Sequence, residues 1–237
     1  MGTVRAAAHV FVDDLDAPVL GDDDAHHLSR VLRLRAGEVV TASDGAGRWR
    51  ACAFADGPVL EVAGEVVVEP VASPAIAVGF ALTKGERPEW TVQKLTELGV
   101  DRILPLAAAR SVVRLEGDRA AAQHRRWEKV AREAAMQSRR VWLPVVEPIA
   151  PVAGVLGGAS VAISEAGGEP PSLSYPTVLV GPEGGWSDEE LAAADAWNTP
   201  RVGLGALVLR AETAAIAVAA LLCGLRSGTV RANTANG

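Results

Sequence analysis

Arg210, Glu183 and Glu212 are the side chains in this chain best placed by type and spacing to do chemistry. They sit in two glycine-bearing segments, Val178-Leu-Val-Gly-Pro-Glu-Gly-Gly-Trp-Ser187 and Val202-Gly-Leu-Gly-Ala-Leu-Val-Leu-Arg-Ala-Glu-Thr-Ala214. A guanidinium stays protonated and donates two hydrogen bonds to adjacent acceptors, so Arg210 suits a developing anion. Glu183 or Glu212 would orient that arginine, or act as a base in a desolvated site. The competing reading is a plain salt bridge from Arg210 to either carboxylate; an adjoining glycine loop favours the functional one.

Each segment reads as strand, loop, then helix, and such turns place backbone N–H groups at the carboxyl end of a strand, where open α/β sheets bind ligands. Gly181, Gly184, Gly185 and Gly205 let a ligand approach the backbone closely. Leu179, Val180, Pro182, Leu204, Leu209 and Ala214 supply apolar walls, and Thr213 supplies a hydroxyl for a ligand or for the last helix. Gly181-Pro-Glu-Gly-Gly185 lacks the Lys-Ser/Thr of a phosphate-cradling loop, and neither segment fits G-x-G-x-x-G. A nucleotide-phosphate site therefore loses ground.

The elements that must hold these loops change character along the chain. Residues 1 to about 70 contain short β-favouring runs at His9–Val12, Glu38–Thr41, Arg48–Phe54 and Leu60–Val68, with a hairpin turn at Asp44-Gly-Ala-Gly47 and a helix over Asp24–Leu34. This pattern fits a small barrel. Glu69-Pro-Val-Ala-Ser-Pro74 reads as a linker, which sets the domains at 1–71 and 72–237. Beyond it, strands at Ala75–Leu82, Arg102–Ala107, Ser160–Ser164, Thr177–Gly181 and Arg201–Leu204 alternate with helices over Glu89–Leu98, Arg119–Arg139, and from Asp188 and Glu212. Alternation of this kind predicts a largely parallel α/β sheet. Ser187-Asp-Glu-Glu190 has the spacing of a capping box, and Gly99 suits a helix end.

A chain of 237 residues, 49% of them apolar, is long enough to bury a core. It shows neither a signal-peptide core nor a transmembrane stretch, so a cytoplasmic protein is expected. Cys52 and Cys223 lack metal-ligand spacing and are expected to be reduced, and the adjacent His26 and His27 project divergently, so no metal is assigned. The net charge of −6 opposes generic nucleic-acid binding until it is resolved along the chain. Arg102–Arg140 carries ten Lys/Arg against four Asp/Glu, whereas Val141–Gly237 carries four against nine. The basic middle suits phosphates; its bland alternative is a solvated surface.

Five motifs in order give the chain a fuller resemblance. Lys84-Gly-Glu-Arg-Pro-Glu-Trp90, Gln93-Lys-Leu-Thr-Glu-Leu-Gly-Val100, Arg132-Glu-Ala-Ala-Met-Gln-Ser-Arg139, Gly181–Gly185 and Leu204–Ala214, with His26–Gly37 and Asp44-Gly45, resemble the 16S ribosomal RNA (uracil-1498-N3)-methyltransferases of the SPOUT superfamily. The resemblance implies a PUA-like β-barrel associated with RNA binding, a SPOUT-type parallel-sheet domain with a C-terminal trefoil knot, a homodimer, and S-adenosylmethionine as cofactor. It implies 16S ribosomal RNA as substrate, free or in the assembled small subunit. Arg210, Glu183 and Glu212 would then stabilise or generate the uracil anion, and the two glycine loops would hold the cofactor.

RNA contacts are expected from Lys84 and Arg87, from Arg132, Arg139 and Arg140 on the basic helix, and from Arg30, Arg33, Arg35, Arg48 and Arg50 on the barrel. The chain departs from the family pattern at Met136, where an acid is usual, and at Trp142, which is available to stack on a base. The rival activities are methylation of another base or of a ribose 2′-oxygen, and non-catalytic RNA binding in ribosome assembly.

Overall fold

The computed structural model describes residues 6–231, which divide into two compact units. The first takes the chain up to Val71 together with Arg132–Leu143, and the second takes Ala72–Ala131 and Pro144 onward. Each has its own core.

In the first unit, β1 (Ala8–Phe11) runs parallel to β2 (Val39–Ser43), and β2, β3 (Arg48–Phe54) and β4 (Leu60–Val62) follow as antiparallel neighbours. The short β5 (Val67–Val68) pairs with the start of β3. Val10, Val40, Ala42, Cys52, Phe54 and Leu60 point inward and close over Leu28. The β2–β3 turn forms at Asp44–Gly47 because the Asp44 carboxylate accepts from the amides of Ala46 (2.8 Å) and Arg48 (3.0 Å). Helix α1 (Asp22–His26) continues as a π-helical turn, His27–Val31, and stops short of the expected Leu34. Ser29 there donates to the carbonyl of Ala25, and Arg33 adopts φ +54°, which ends the helix.

Arg132–Leu143 belongs to this unit by explicit bonds. The Arg132 guanidinium grips the Asp24 carboxylate at 2.6 and 3.1 Å and donates to the carbonyl of Phe11. His9 Nε2 donates to the carbonyl of Arg140 at 2.9 Å, and Leu143 N donates to the carbonyl of Gly45. Trp142 packs on Gly47 and donates to the carbonyl of Glu69, so its ring is committed to the hairpin and is no free stacking platform. Arg50 is likewise turned inward, donating to the carbonyls of Gly64 and Leu15 and to Asp16. Neither arginine stands free for an RNA surface.

The second unit is a parallel sheet in the order β12-β10-β11-β6-β7-β8, with β9 also pairing β7. Its strands are β6 (Ala77–Ala81), β7 (Arg102–Ala107), β8 (Val145–Val146), β9 (Ala150–Pro151), β10 (Val161–Glu169), β11 (Thr177–Val180) and β12 (Arg201–Val202). Period-two alternation divides their side chains between two cores. Val78, Phe80, Ile103, Val178 and Val180 meet α2 (Arg87–Leu98), α3 (Gly117–Ser138) and α6 (Ala211–Ser227) on one face. Ala77, Ala81, Leu104, Leu106, Ile163 and Leu179 meet the short α4 (Ala153–Leu156) and α5 (Asp188–Ala196) on the other. Residues of α3 up to Ala131 count with this unit, and those from Arg132 with the first. Pro88 opens α2 and Gly99, at φ +96°, closes it.

Strand β10 runs longer than the sequence suggests and bulges. Ser164 and Glu169 both face Val202, so Glu165–Gly168 is extruded between them. At this point two backbones almost touch: a Cβ on Gly203 would lie 2.4 Å from the carbonyl oxygen of Gly168. Only glycine permits that approach.

Candidate active site

Both glycine segments leave the carboxyl ends of adjacent parts of the sheet, β11 and β12, which flank β10. They enclose a cleft of about 380 Å³. Val180, Gly181, Pro182, Glu183 and Gly185 line it from the β11–α5 loop; Leu204, Gly205 and Leu209 line it from the β12–α6 loop, and Ala214 from α6. Five predicted residues lie outside that lining. Leu179 is buried in the α5-side core, Glu212 is buried at the start of α6, and Gly184, Thr213 and Arg210 are exposed beside the cleft.

The β10 bulge brings Ser164, Glu165 and Ala166 into the same cleft, and Trp186 forms part of its wall. These were not legible in the motifs. Trp186 is fixed by donating to the carbonyl of Ser164 (3.0 Å) and by lying over Gly181, where an added Cβ would fall 2.9 Å from the ring. Glu165 is held by Arg201 at 2.8 Å. Across the cleft, Leu207 and Val208 are almost fully solvent-facing, at 82% and 98% exposure. Apolar walls, glycine backbone and carboxylates at the edge form a slot for a flat, partly polar ligand rather than for a polyphosphate.

The charged partners differ from the simplest expectation. Arg87, not Arg210, binds the two carboxylates: its guanidinium meets Glu183 at 3.1 Å and Glu212 at 3.6 Å. Arg87 is thus engaged within the site rather than free for phosphate. Arg210, just before the first turn of α6, has no side-chain hydrogen bond or ion pair among the described residues and stands between the lining residues Leu209 and Ala211. Glu212 is buried, and its Oε2 has no hydrogen-bond partner. A buried acceptor in that state wants a donor from outside the chain.

A further set of contacts, also missed in the sequence, braces the β11–α5 loop. Arg110, after β7, donates to the carbonyls of Trp186 (2.7 Å) and Gly184 (3.2 Å) and pairs with Asp188 at 3.4 Å. Ser187 and Glu190 form the expected capping box, and the second oxygen of Glu190 accepts from the amide of Ala109 at 2.8 Å.

The remaining predicted cations are spread over the chain. Arg30, Arg33, Arg35 and Arg48 are exposed on the first unit, and Arg139, also exposed, donates to the carbonyl of Ala6. Arg140 is half-buried there. Lys84 is exposed in the second unit. Neither cysteine is in a disulfide, and burial pushes the Cys52 thiol up. Among the described residues no group of three or more His, Cys, Asp or Glu is placed to hold a metal, and no helix is long and apolar enough to cross a membrane.

Residues 71–223 match the family described as the RNA methyltransferase domain, and residues 20–57 match the RNA methyltransferase PUA domain. The chain belongs to the RNA methyltransferase family. Within it, the chain is 35% identical over 224 residues to the ribosomal RNA small subunit methyltransferase E of Mycobacterium bovis, covering 83% of this chain and 82% of the relative. The Bacillus subtilis protein of the same name is 29% identical, with 81% and 84% covered. Among solved structures, the small subunit methyltransferase E of Neisseria gonorrhoeae, bound to S-adenosylmethionine, superposes with a TM-score of 0.79 at 27% identity over 92% of this chain and 97% of that one. A Legionella pneumophila methyltransferase with bound cofactor gives 0.81 at 26% identity, with the same coverage. The fold class is accordingly a SPOUT-type parallel-sheet methyltransferase unit with a PUA-like β-rich unit ahead of it.

Proposed function

We propose that this protein transfers a methyl group from S-adenosylmethionine to N3 of a specific uridine, of the 1498 type, in 16S ribosomal RNA. The observation that carries the reading is the convergence of both glycine loops on one cleft, with a free Arg210 and the half-satisfied carboxylate of Glu212 next to it. The names of the relatives support the substrate class and the cofactor.

The cleft fits the cofactor on its own evidence. Its apolar walls match an adenine ring, glycine backbone leaves room for close hydrogen bonding, and Glu165 and Glu183 offer carboxylates to hydroxyls or to positive charge. When bound, S-adenosylmethionine supplies an activated methyl on a sulfonium, so the donor side needs positioning more than acid–base help.

The acceptor needs more. Uracil N3 becomes nucleophilic only as its proton leaves. Glu212, held by Arg87, would accept that proton on Oε2 and so leave N3 free to take the methyl group that the cofactor supplies. Arg210 donates to the negative charge on the uracil oxygens. Glu183 orients Arg87 and closes the site. Lys84, Arg30, Arg33, Arg35, Arg139 and Arg140 contribute phosphate contacts, whereas Arg132 supports the first unit through Asp24. A homodimer acting in the cytoplasm and a trefoil-threaded C-terminus complete the proposal; the near contact of Gly168 and Gly203 supports the threading.

Mapping methylated nucleosides in ribosomal RNA by mass spectrometry, with and without the protein, tests this reading. N3-methyluridine in the small-subunit RNA should vanish without it and return on complementation. An unchanged level would reject the assignment.

A further inference from the structure

We infer that Arg110 is a positioning residue for methyl-donor binding, acting through the β11–α5 loop without itself lining the cleft. The inference rests on the reading of that cleft as the S-adenosylmethionine site. Gly181–Trp186 forms a wall of the cleft but lies outside any strand or helix, so the sheet's hydrogen bonds do not fix it. Its one internal backbone bond is the turn from Gly185 N to the carbonyl of Pro182, at 2.8 Å. What holds its far end is Arg110, whose single guanidinium nitrogen donates to two carbonyls of the loop, Gly184 at 3.2 Å and Trp186 at 2.7 Å. The second terminal nitrogen reaches Asp188 at 3.4 Å, at the start of α5.

Arg110 takes the Gly184 and Trp186 carbonyls without lining the cleft, while Gly181, Gly185 and Trp186 of the same loop do line it. Trp186 is gripped from both ends, its carbonyl by Arg110 and its indole N–H by the carbonyl of Ser164. The neighbouring amide of Ala109 is bound by Glu190, so the β7–α3 loop is itself fixed and Arg110 projects from a stiff base. A charged donor shared between two carbonyls is stronger than neutral bonds and orders a loop before the ligand arrives. Lysine keeps the charge but lacks the second terminal nitrogen that reaches Asp188 and the planar geometry that aims the first.

The test is calorimetric binding of S-adenosylmethionine to the wild-type chain, R110K and R110A, alongside thermal melting and steady-state methylation of small-subunit RNA. Arg110 is about half exposed, so its loss opens no core and melting should barely move. The dissociation constant should rise about tenfold in R110A and by a smaller factor in R110K. KM for the methyl donor should rise in step, and kcat at saturating donor should stay within about twofold of wild type, because the reacting groups are untouched. Wild-type affinity in both variants would overturn the inference, as would a fall in kcat with unchanged KM. If R110A fails to fold, R110K decides by the same two readouts. A wild-type chain that binds no S-adenosylmethionine would instead reject the functional reading on which the inference stands.

Discussion

Glu212 keeps one carboxylate oxygen buried without a hydrogen-bond partner, and Arg87 reaches only the other. An unmet acceptor of this kind is destabilising by about 1–3 kcal/mol, so its retention points to a ligand that meets it. Glu212→Gln keeps the shape and removes the proposed proton acceptor: kcat should fall about 10²-fold or more, with calorimetric binding of S-adenosylmethionine unchanged. Equal losses in cofactor binding and turnover would assign Glu212 to the cofactor instead. Arg210→Ala should also lose turnover and keep cofactor binding, since the guanidinium stands outside the cleft lining. Gly181→Ala should do the reverse: its methyl would collide with Trp186, costing about 1–3 kcal/mol of stability and weakening cofactor binding, measured by urea unfolding and calorimetry. Of the glycines read from the two loops, Gly181 is required by the Trp186 ring lying over it, and Gly185 and Gly205 by their positive φ of +71° and +111°. Arg87 was not legible as the partner of Glu183, because 96 positions separate them and only the β11–β6 pairing brings their loops together.

Helix α5 begins where its sequence dictates. Ser187 Oγ accepts from the amide of Glu190 and Glu190 returns the bond to Ser187 N, while the other Glu190 oxygen holds Ala109. Ser187→Ala should therefore lower stability by about 1 kcal/mol in urea unfolding, and Glu190→Ala by more, because it cuts the cap and the link to the β7–α3 loop together. Equal effects would mean that the Ala109 bond is worth nothing. Local rules of this sort made α2, α5, β7 and the Asp44–Gly47 hairpin readable: each carries its own start, stop or turn chemistry. The two-residue strands β8 and β9 and the short α4 carry no such signal, since their places follow from pairing with β7 and packing under β10. The β10 bulge escaped notice for a similar reason. Its extra residues read as a loop after Ser164 until Glu169 is seen to return to Val202.

At the scale of the whole molecule, the chain builds its first unit from two distant stretches, and His9 is one of the joints. Its Nε2 donates to the carbonyl of Arg140, which leaves Nδ1 to accept from the Thr41 hydroxyl at 2.8 Å. The ring is therefore held neutral in the fold. Burial is the main cause that lowers its pKa to about 4 from an ordinary 6.5; the bond to the Arg140 carbonyl works against this, and the nearby Arg139 charge adds to it. The unfolded chain thus takes up a proton below about pH 6.5 that the folded chain refuses until about pH 4. Folding stability contributed by the neutral ring is complete above pH 6.5 and is lost as pH falls through that window, at up to about 1.4 kcal/mol per pH unit. Urea unfolding between pH 7 and pH 5, followed by amide exchange in β1 and β2, measures it. The wild-type chain should lose about 2 kcal/mol more than His9→Gln over that range, since glutamine has no proton to gain and leaves only the shared carboxylate titrations. Parallel curves for the two proteins would mean that His9 takes up its proton without opening the joint to Arg140.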